Sequence, residues 1–152
     1  MRRMILSLML VAAVACQPAT MELTEDQKAE IEDVVKQLAA KYSEAWTSDR
    51  DIDGYMRYAS DWAGTPWGCC ETLDDLRSNA TGFWNRWDWE SHEVGEMKVM
   101  VLGPDAAAVT FTAVAVRVDT AGVRREVTNE LANLWVREAG QWKLLIGKNH
   151  VH

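Results

Sequence analysis

The C-terminal stretch from Arg124 to His152 constrains the fold most strongly, because apolar and polar residues alternate along it as they do in β-strands. Glu138, Ala139 and Gly140 interrupt the alternation and suit a three-residue hairpin loop, in which Gly140 can adopt a positive φ. A two-residue Ala-Gly turn would mix apolar and polar residues on each face of the hairpin, so the three-residue loop is favoured. The inward face then consists of Ala132, Leu134, Val136, Trp142, Leu144 and Ile146.

The same face continues away from the turn into ionisable residues. In this register, Glu130 lies opposite Lys148, Thr128 opposite His150, and Glu126 opposite His152. An apolar surface that ends in a cluster of polar groups is typical of a small-molecule pocket. The alternative is that the hairpin leaves the core at this point and that its polar end is simply solvated.

Residues 1–21 have the pattern of a signal peptide followed by a short tether. Arg2 and Arg3 precede an apolar run, and Ala13 and Ala15 stand just before Cys16. The arrangement resembles a bacterial lipoprotein signal, which implies cleavage before Cys16 and lipidation of that cysteine. The two alanines also fit an ordinary secretory cleavage site at the same bond. We therefore predict an exported protein, periplasmic or an outer-membrane lipoprotein, with a single domain over residues 22–152.

The charge balance restricts the possible partners. The chain has 23 acidic and 16 basic residues and a formal net charge of −7 at pH 7. An acidic surface without a basic stripe repels phosphate backbones, so we predict no binding to nucleic acid. It also disfavours adsorption to anionic lipid, so we expect contact with a membrane only through a lipid anchor on Cys16.

The cysteine pattern and the motifs indicate no cofactor. Cys69 and Cys70 are adjacent, and could form a strained vicinal disulfide, act as a redox pair, or stay as buried thiols. They lack the partners of a zinc motif. A divalent ion held by His150 and His152, with Glu126, Glu130 or His92 as further ligands, is a lesser alternative. Two histidines near a terminus coordinate nothing in most proteins, so we predict no metal site.

Capping signals and hydrophobic periodicity predict the fold class. Three helices are expected, from Thr24 to about Thr47, from Asp51 to Ala59, and from Thr72 to about Trp87. Two strands, His92–Leu102 and Ala106–Val118, then precede the terminal hairpin. Three N-terminal helices followed by an antiparallel sheet define an α+β domain with the helices packed on one side of the sheet.

This order of elements resembles the nuclear transport factor 2-like superfamily, which includes SnoaL-like proteins and ketosteroid isomerases. The residues that carry the resemblance are YSEAW (42–46), DIDGY (51–55), YASD (58–61), LGPDAA (102–107), LWVREAGQWKL (134–144) and the late His150. The resemblance implies a cone in which a strongly curved sheet surrounds a pocket plugged by the first helix. It also implies pairing of two copies through the outer sheet face, where Leu131, Trp135, Leu145 and Val151 are expected.

The resemblance does not extend to the acid–base residues of a ketosteroid isomerase. Tyr42 matches the tyrosine on the first helix of such an enzyme. The position of the general base falls in Gly64-Thr65-Pro66, which has no carboxylate, and the second aspartate is replaced by Ala132, beside Asn133. Proton abstraction by that route is therefore disfavoured.

The sequence thus predicts a small-molecule-binding domain with an apolar pocket, forming a homodimer and containing no cofactor. The expected ligand-binding residues are Tyr42, Trp46, Tyr58, Asn133 and Trp142. The alternative is a cofactor-independent isomerase, lyase or hydrolase that uses the same pocket. Its catalytic residues would be His150 as the base and Glu130 or Asp61 as the carboxylate that orients it.

Overall fold

The computed structural model of the protein describes residues 22–60 and 70–151. Three helices, α1 (Glu25–Trp46), α2 (Ile52–Arg57) and α3 (Leu73–Trp84), precede five strands. The strands are β1 (Trp87–Val94), β2 (Lys98–Gly103), β3 (Ala106–Asp119), β4 (Arg124–Glu138) and β5 (Gln141–Val151). The predicted leader 1–21 with Cys16, the 61–69 segment with Asp61 and Cys69, and His152 all lie outside the described residues.

The predicted helix starts are confirmed. Thr24 and Gln27 form a reciprocal capping box at the start of α1, and Thr72 and Asp75 form another at α3. The Asp51 side chain accepts a hydrogen bond from the Gly54 N–H and so caps α2. Within the described part of the chain, no helix has the length and apolar character needed to cross a bilayer.

The region after α3 differs from the prediction. The helix ends at Trp84, and Trp87 begins β1 instead of closing the helix. The predicted strand His92–Leu102 is in fact divided between β1 and β2, which pair with successive parts of β3. The break falls at Gly95, whose N–H donates to the Thr112 carbonyl over 2.8 Å. The sheet therefore has five strands where four were expected.

The core lies between α1 and one face of the sheet, which we call the inner face. The strand order is β1-β3-β4-β5, all antiparallel, and β2 joins β1 along the same edge of β3. Odd-numbered residues of β3 and β4 point inward, so their even-numbered neighbours occupy the opposite, outer face. The most buried core residues are Val35, Ala39, Ala107, Val109, Trp135 and Leu144.

The terminal hairpin forms, but the predicted register is wrong. Glu138 pairs with Gln141 around a two-residue turn, in which Ala139 and Gly140 have φ values of 48° and 82°. Positive φ at both positions is the signature of a type I′ turn, whose twist matches that of the strands. Next to the turn the mixed pair Arg137–Trp142 does occur, but farther along a β-bulge leaves Leu145 without a partner on β4 and places Ile146 opposite Leu134 instead of Asn133.

The bulge changes which residues of β5 face the core. Before it, Leu144 lies opposite Trp135, and both side chains are fully buried. Beyond it, Ile146 lies opposite Leu134 on the outer face and is 43% exposed. The expected outward position of Trp135 is therefore wrong, and the expected inward position of Ile146 is wrong as well. Leu131 is half-buried against the core cluster and does not belong to an outer patch.

Candidate ligand-binding site on the inner face

Three aromatic rings meet on the inner face near the closed end of the hairpin. Tyr42 of α1 and Tyr58 at the end of α2 both contact Trp135 edge-on, with ring centroids 6.1 Å and 6.0 Å away. The two tyrosine rings are themselves 6.1 Å apart. Tyr42, Tyr58 and Trp135 therefore form one aromatic wall, built from two helical segments and one strand.

Backbone hydrogen bonds to β5 fix the position of Tyr58. The Leu144 N–H donates to the Tyr58 carbonyl over 2.6 Å, and the Ser60 N–H donates to the Leu144 carbonyl over 3.0 Å. These bonds attach the end of α2 to the edge of the sheet as a short parallel bridge. Because Leu144 is also the partner of Trp135, the bridge brings Tyr58 against the tryptophan.

The wall continues along β4 to Asn133, whose side chain is polar and almost completely enclosed. Asn133 is 2% exposed, and its backbone partners on the neighbouring strands are Val109 and Gly147, which offer no polar side-chain group. Within the part of the chain that the structure describes, neither amide atom of Asn133 has a hydrogen-bond partner, nor does Trp135 Nε1. Such groups are rare in folded proteins, and they mark places where a ligand or water completes the bonding.

The other two predicted binding residues lie at the edges of this wall. Tyr55 stacks on Tyr42 at 4.8 Å and contacts Trp46 at 5.0 Å, so Trp46 belongs to the same aromatic layer but not to the wall itself. Trp142 is 9% exposed, and the Arg137 guanidinium lies 4.9 Å from its ring centroid. Trp142 therefore packs beside the hairpin turn, beyond Trp135.

Glu130 and His150 lie on the outer face, away from Tyr42 and Asn133. In the observed register Glu130 is the direct partner of His150, and Lys148 is the partner of Ala132. The prediction that Glu130 faces Lys148 is wrong, as is the idea that the His/carboxylate pair shares a pocket with the tyrosine. The pair instead lines an open groove of about 560 Å³, together with Glu96, Lys98, Thr110, Thr112 and Lys148.

His92 is a half-buried histidine on β1, which the sequence indicated only as a possible metal ligand. Its Nδ1 lies 3.5 Å from the Thr47 hydroxyl, and its ring contacts Trp89 at 5.8 Å. Burial lowers the pKa of His92, which favours the neutral imidazole. Among the residues that the structure describes, no group of three His, Cys, Asp or Glu side chains could hold a metal ion.

Trp135 is the member of the site that the sequence interpretation missed. Two signals could have placed it inside. It is the largest side chain in β4, and it alternates in step with Asn133, Leu131 and Val127 rather than with Glu130. The mistaken hairpin register outweighed both signals.

No protein-family model and no curated protein matches the sequence. Several solved structures do share the fold. The LinA-type3 hexachlorocyclohexane dehydrochlorinase from Novosphingobium barchaimii superposes with a TM-score of 0.73 at 12% identity, over 85% of this chain and 91% of that chain. A ketosteroid isomerase-like protein from Erwinia carotovora gives 0.67 at 16% identity, over 85% of this chain and 98% of that chain.

An NTF2-like protein of unknown function in nutrient uptake from Rhodospirillum rubrum has a TM-score of 0.62 at 20% identity. The match covers 78% of this chain and 98% of that chain. Identities this low establish architecture rather than activity. The helices followed by a curved five-stranded antiparallel sheet give this chain the cone-shaped α+β fold of the nuclear transport factor 2-like structures.

Proposed function

We propose that the domain binds a small, partly apolar molecule against the inner face of the sheet. The observation that carries the proposal is Asn133, which is 2% exposed and has no partner for either amide atom among the described residues. A buried polar group left without a hydrogen bond costs about 1–3 kcal/mol. A ligand that supplies the missing partners would offset this cost, while Tyr42, Tyr58 and Trp135 enclose its apolar part.

The polar atoms that lack hydrogen-bond partners among the described residues restrict the chemistry of the ligand. Asn133 Nδ2 and Trp135 Nε1 are donors and require an acceptor, whereas Asn133 Oδ1 requires a donor. A neutral molecule with a donor and an acceptor close together, such as a primary amide or a hydroxyketone, satisfies both demands. A monatomic ion does not, because it cannot both donate and accept hydrogen bonds.

Benzamide and toluene provide a direct test, since both are small aromatic molecules but only benzamide has the required donor and acceptor. We expect benzamide to raise the Tm of the wild-type protein more than toluene does, and to change its tryptophan fluorescence. In Asn133→Leu this preference should disappear. Asn79→Leu, an exposed site on α3, is the matched control and should behave as wild type. An equal response to the two probes in the wild type would overturn the proposal.

The second candidate function is proton-transfer catalysis by Glu130 and His150. The observation in its favour is their direct pairing across β4 and β5 at the groove of the outer face. A carboxylate beside a histidine can orient the imidazole and stabilise its charged form. Two of the compared structures bear the names of a dehydrochlorinase and of a ketosteroid isomerase-like protein, which supports small-molecule chemistry in this fold. Asp61, the other candidate carboxylate, remains a prediction.

The test of this candidate is a screen for isomerase, lyase and hydrolase turnover, followed by His150→Gln and Glu130→Gln. Each substitution should reduce kcat by about a hundredfold or more if the pair transfers protons. Lys148→Gln is the control, because it removes a charge from the same groove but replaces neither Glu130 nor His150. Unchanged turnover in His150→Gln would eliminate the candidate.

The outer face also supports the expected homodimer, although through different residues. Met100, Ala108, Leu134 and Ile146 are successive partners across β2, β3, β4 and β5, and we call them the outer apolar row. Met100 is 65% exposed. The adjoining groove contains carboxylates and lysines, Glu96, Lys98, Glu130 and Lys148. A two-fold interface places a surface on its own copy, so a patch that has both charge signs can pair opposite charges across the axis.

Light scattering tests the assembly. The wild-type protein should have the mass of a dimer, and Met100→Lys or Ile146→Lys should have the mass of a monomer. Val123→Lys replaces another exposed apolar residue, at 48% exposure in the β3–β4 turn, and should leave the dimer intact. A monomeric wild-type protein would rule out this interface.

Export and lipidation of Cys16 are proposed from the leader sequence alone. Expression in a bacterial host with an alkyne-labelled fatty acid should give a labelled, membrane-associated protein. Cys16→Ser should remain unlabelled. Label-free secretion of the wild-type protein would favour ordinary cleavage, and retention of the intact leader in the cytoplasm would contradict export.

A further inference from the structure

A row of three nitrogen-bearing side chains crosses the sheet at the end opposite the hairpin turn. Trp89 of β1 is the direct partner of Arg117 of β3, and Arg117 is the direct partner of Arg125 of β4. Directly opposed residues in antiparallel strands project from the same face. We call these residues the arginine row. From Arg125 to Asn133 the distance along β4 is roughly 26 Å at the usual rise per residue, so the row is separate from the aromatic wall.

Aromatic rings hold the two guanidinium groups in place. The Arg117 guanidinium carbon lies 4.5 Å from the Trp87 ring centroid and 5.4 Å from that of Phe83. The Arg125 guanidinium carbon lies 5.7 Å from the same Trp87 ring. Stacking on a ring covers the face of a guanidinium but leaves its N–H edge available for hydrogen bonds.

The positive charge of the row is not neutralised within the described residues. None of the ion pairs among the described residues includes Arg117 or Arg125. The two acidic residues of β1 nearest to Trp89 are engaged elsewhere, Asp88 with Arg50 at 2.5 Å and Glu90 with Arg124 at 2.7 Å.

Two arginines placed directly opposite each other destabilise a sheet. Burial, together with the charge of Arg125, lowers the pKa of Arg117. A chain with a formal net charge of −7 thus keeps two adjacent cations on one face without a carboxylate partner among the described residues.

Two buried donors in the row also have no acceptor among the described residues. They are Arg117 Nε and Trp89 Nε1, on directly paired residues of neighbouring strands. A buried N–H without an acceptor destabilises the folded protein. Unlike Asn133, this group of atoms contains only donors, so only an acceptor can satisfy it.

We propose that the arginine row binds an oxyanion, the carboxylate or phosphate of a small molecule. Arg117 presents its Nε edge to one oxygen, Trp89 Nε1 donates beside it, and Arg125 supplies the second positive charge. An oxyanion at this position separates the two guanidinium charges and gives both buried N–H groups an acceptor. Phosphate and carboxylate are both matched by the fork of a guanidinium, so the structure assigns the shared oxyanion chemistry.

Isothermal titration of the full chain with benzoate, and separately with inorganic phosphate, tests the proposal. Binding of either anion supports it, and the one that binds more tightly identifies the carboxylate or the phosphate as the preferred group. Binding should weaken as the salt concentration rises. Arg125→Gln should weaken it by about tenfold or more, because one charge-assisted contact is lost. Trp89→Phe should weaken it less, since only a neutral donor is removed.

Arg124→Gln is the matched control. Arg124 adjoins Arg125 in β4 but is ion-paired with Glu90, so its replacement should leave anion binding unchanged. Asn133→Leu should also leave it unchanged, which separates this site from the proposed neutral-ligand site. Absence of binding for both anions, or equal losses in Arg124→Gln and Arg125→Gln, would overturn the proposal. Arg125 is exposed, so a folded variant is available for the measurement.

Discussion

Trp135 of β4 lies directly opposite Leu144 of β5, and neither side chain is accessible to solvent. The pair joins the hairpin to the rest of the molecule. Trp135 contacts the rings of Tyr42 and Tyr58, while the backbone of Leu144 bonds to the segment that ends α2. The core and the aromatic wall therefore depend on the same two residues.

Truncation of this pair should be strongly destabilising. We expect Trp135→Ala to lower the free energy of unfolding by about 3–5 kcal/mol and Leu144→Ala by about 2–5 kcal/mol, because each leaves a buried cavity. Urea denaturation measures both changes. Val123→Ala, at a site that is 48% exposed and outside the proposed interface, should change the free energy by less than about 0.5 kcal/mol. A loss that small at Trp135 would contradict the observed packing.

Asn133→Leu should stabilise the ligand-free protein. The substitution replaces two buried polar atoms that lack partners among the described residues with apolar groups of similar size. We expect a gain of about 1–3 kcal/mol in the free energy of unfolding. Chemical denaturation without ligand measures the change. A loss of stability would mean that the amide is satisfied in solution, and that Asn133 serves the fold rather than a ligand.

The type I′ turn predicts opposite effects at adjacent positions. Ala139 has a φ of 48°, so Ala139→Gly should relieve strain and raise stability by about 0.5 kcal/mol after the entropy of glycine is deducted. Gly140→Ala should lower it by about 1 kcal/mol through backbone strain alone, since an added Cβ meets no atom within 4 Å. Thermal or urea unfolding of the two variants tests the turn. Effects of equal sign would contradict it.

The half-buried His92 predicts a specific dependence of stability on pH. Burial lowers the pKa of His92 below its ordinary value of 6.5, so the unfolded chain takes up a proton at a higher pH than the folded protein does. This contribution to stability is fully present above pH 6.5 and is lost as the pH falls below it. In His92→Gln the decline should be smaller. Denaturation curves of the two proteins on either side of pH 6.5 measure the two declines. The carboxylates contribute equally to both proteins, so the difference between the declines reports His92. Identical declines would contradict the assignment.

Features set by a few neighbouring residues were predictable from the sequence. The two capping boxes depend only on a threonine and the residue three positions later, as in Thr24 with Gln27, and both were predicted. The end of α3 was harder to predict. Trp84 and Trp87 are spaced as on a helix, yet Trp87 and Trp89 alternate as in a strand. Pairing with β3, which is distant in sequence, decides between the two.

The positions of the candidate site residues depended on the register of the β4–β5 hairpin, which short stretches of sequence do not reveal. Tyr42 and Asn133 were selected from the sequence, and both lie in the interior. Trp135 was placed on the wrong face, because a bulge at Leu145 offsets the two-residue turn. A bulge is selected by packing on both sides of a sheet, and no short motif signals it. The arginine row was overlooked for a similar reason, since its members lie on three separate strands.

The bulge has a consequence for how this strand can change during evolution. A deletion of Leu145 would remove the unpaired residue and leave the pairs on both sides of it in place, so Lys148 and His150 would stay on the outer face and Gly147 on the inner face. A residue lost elsewhere in β5 would shift part of the strand by one position and turn those side chains to the opposite face. Length variation in the last strand should therefore be tolerated at Leu145 and selected against at its other positions.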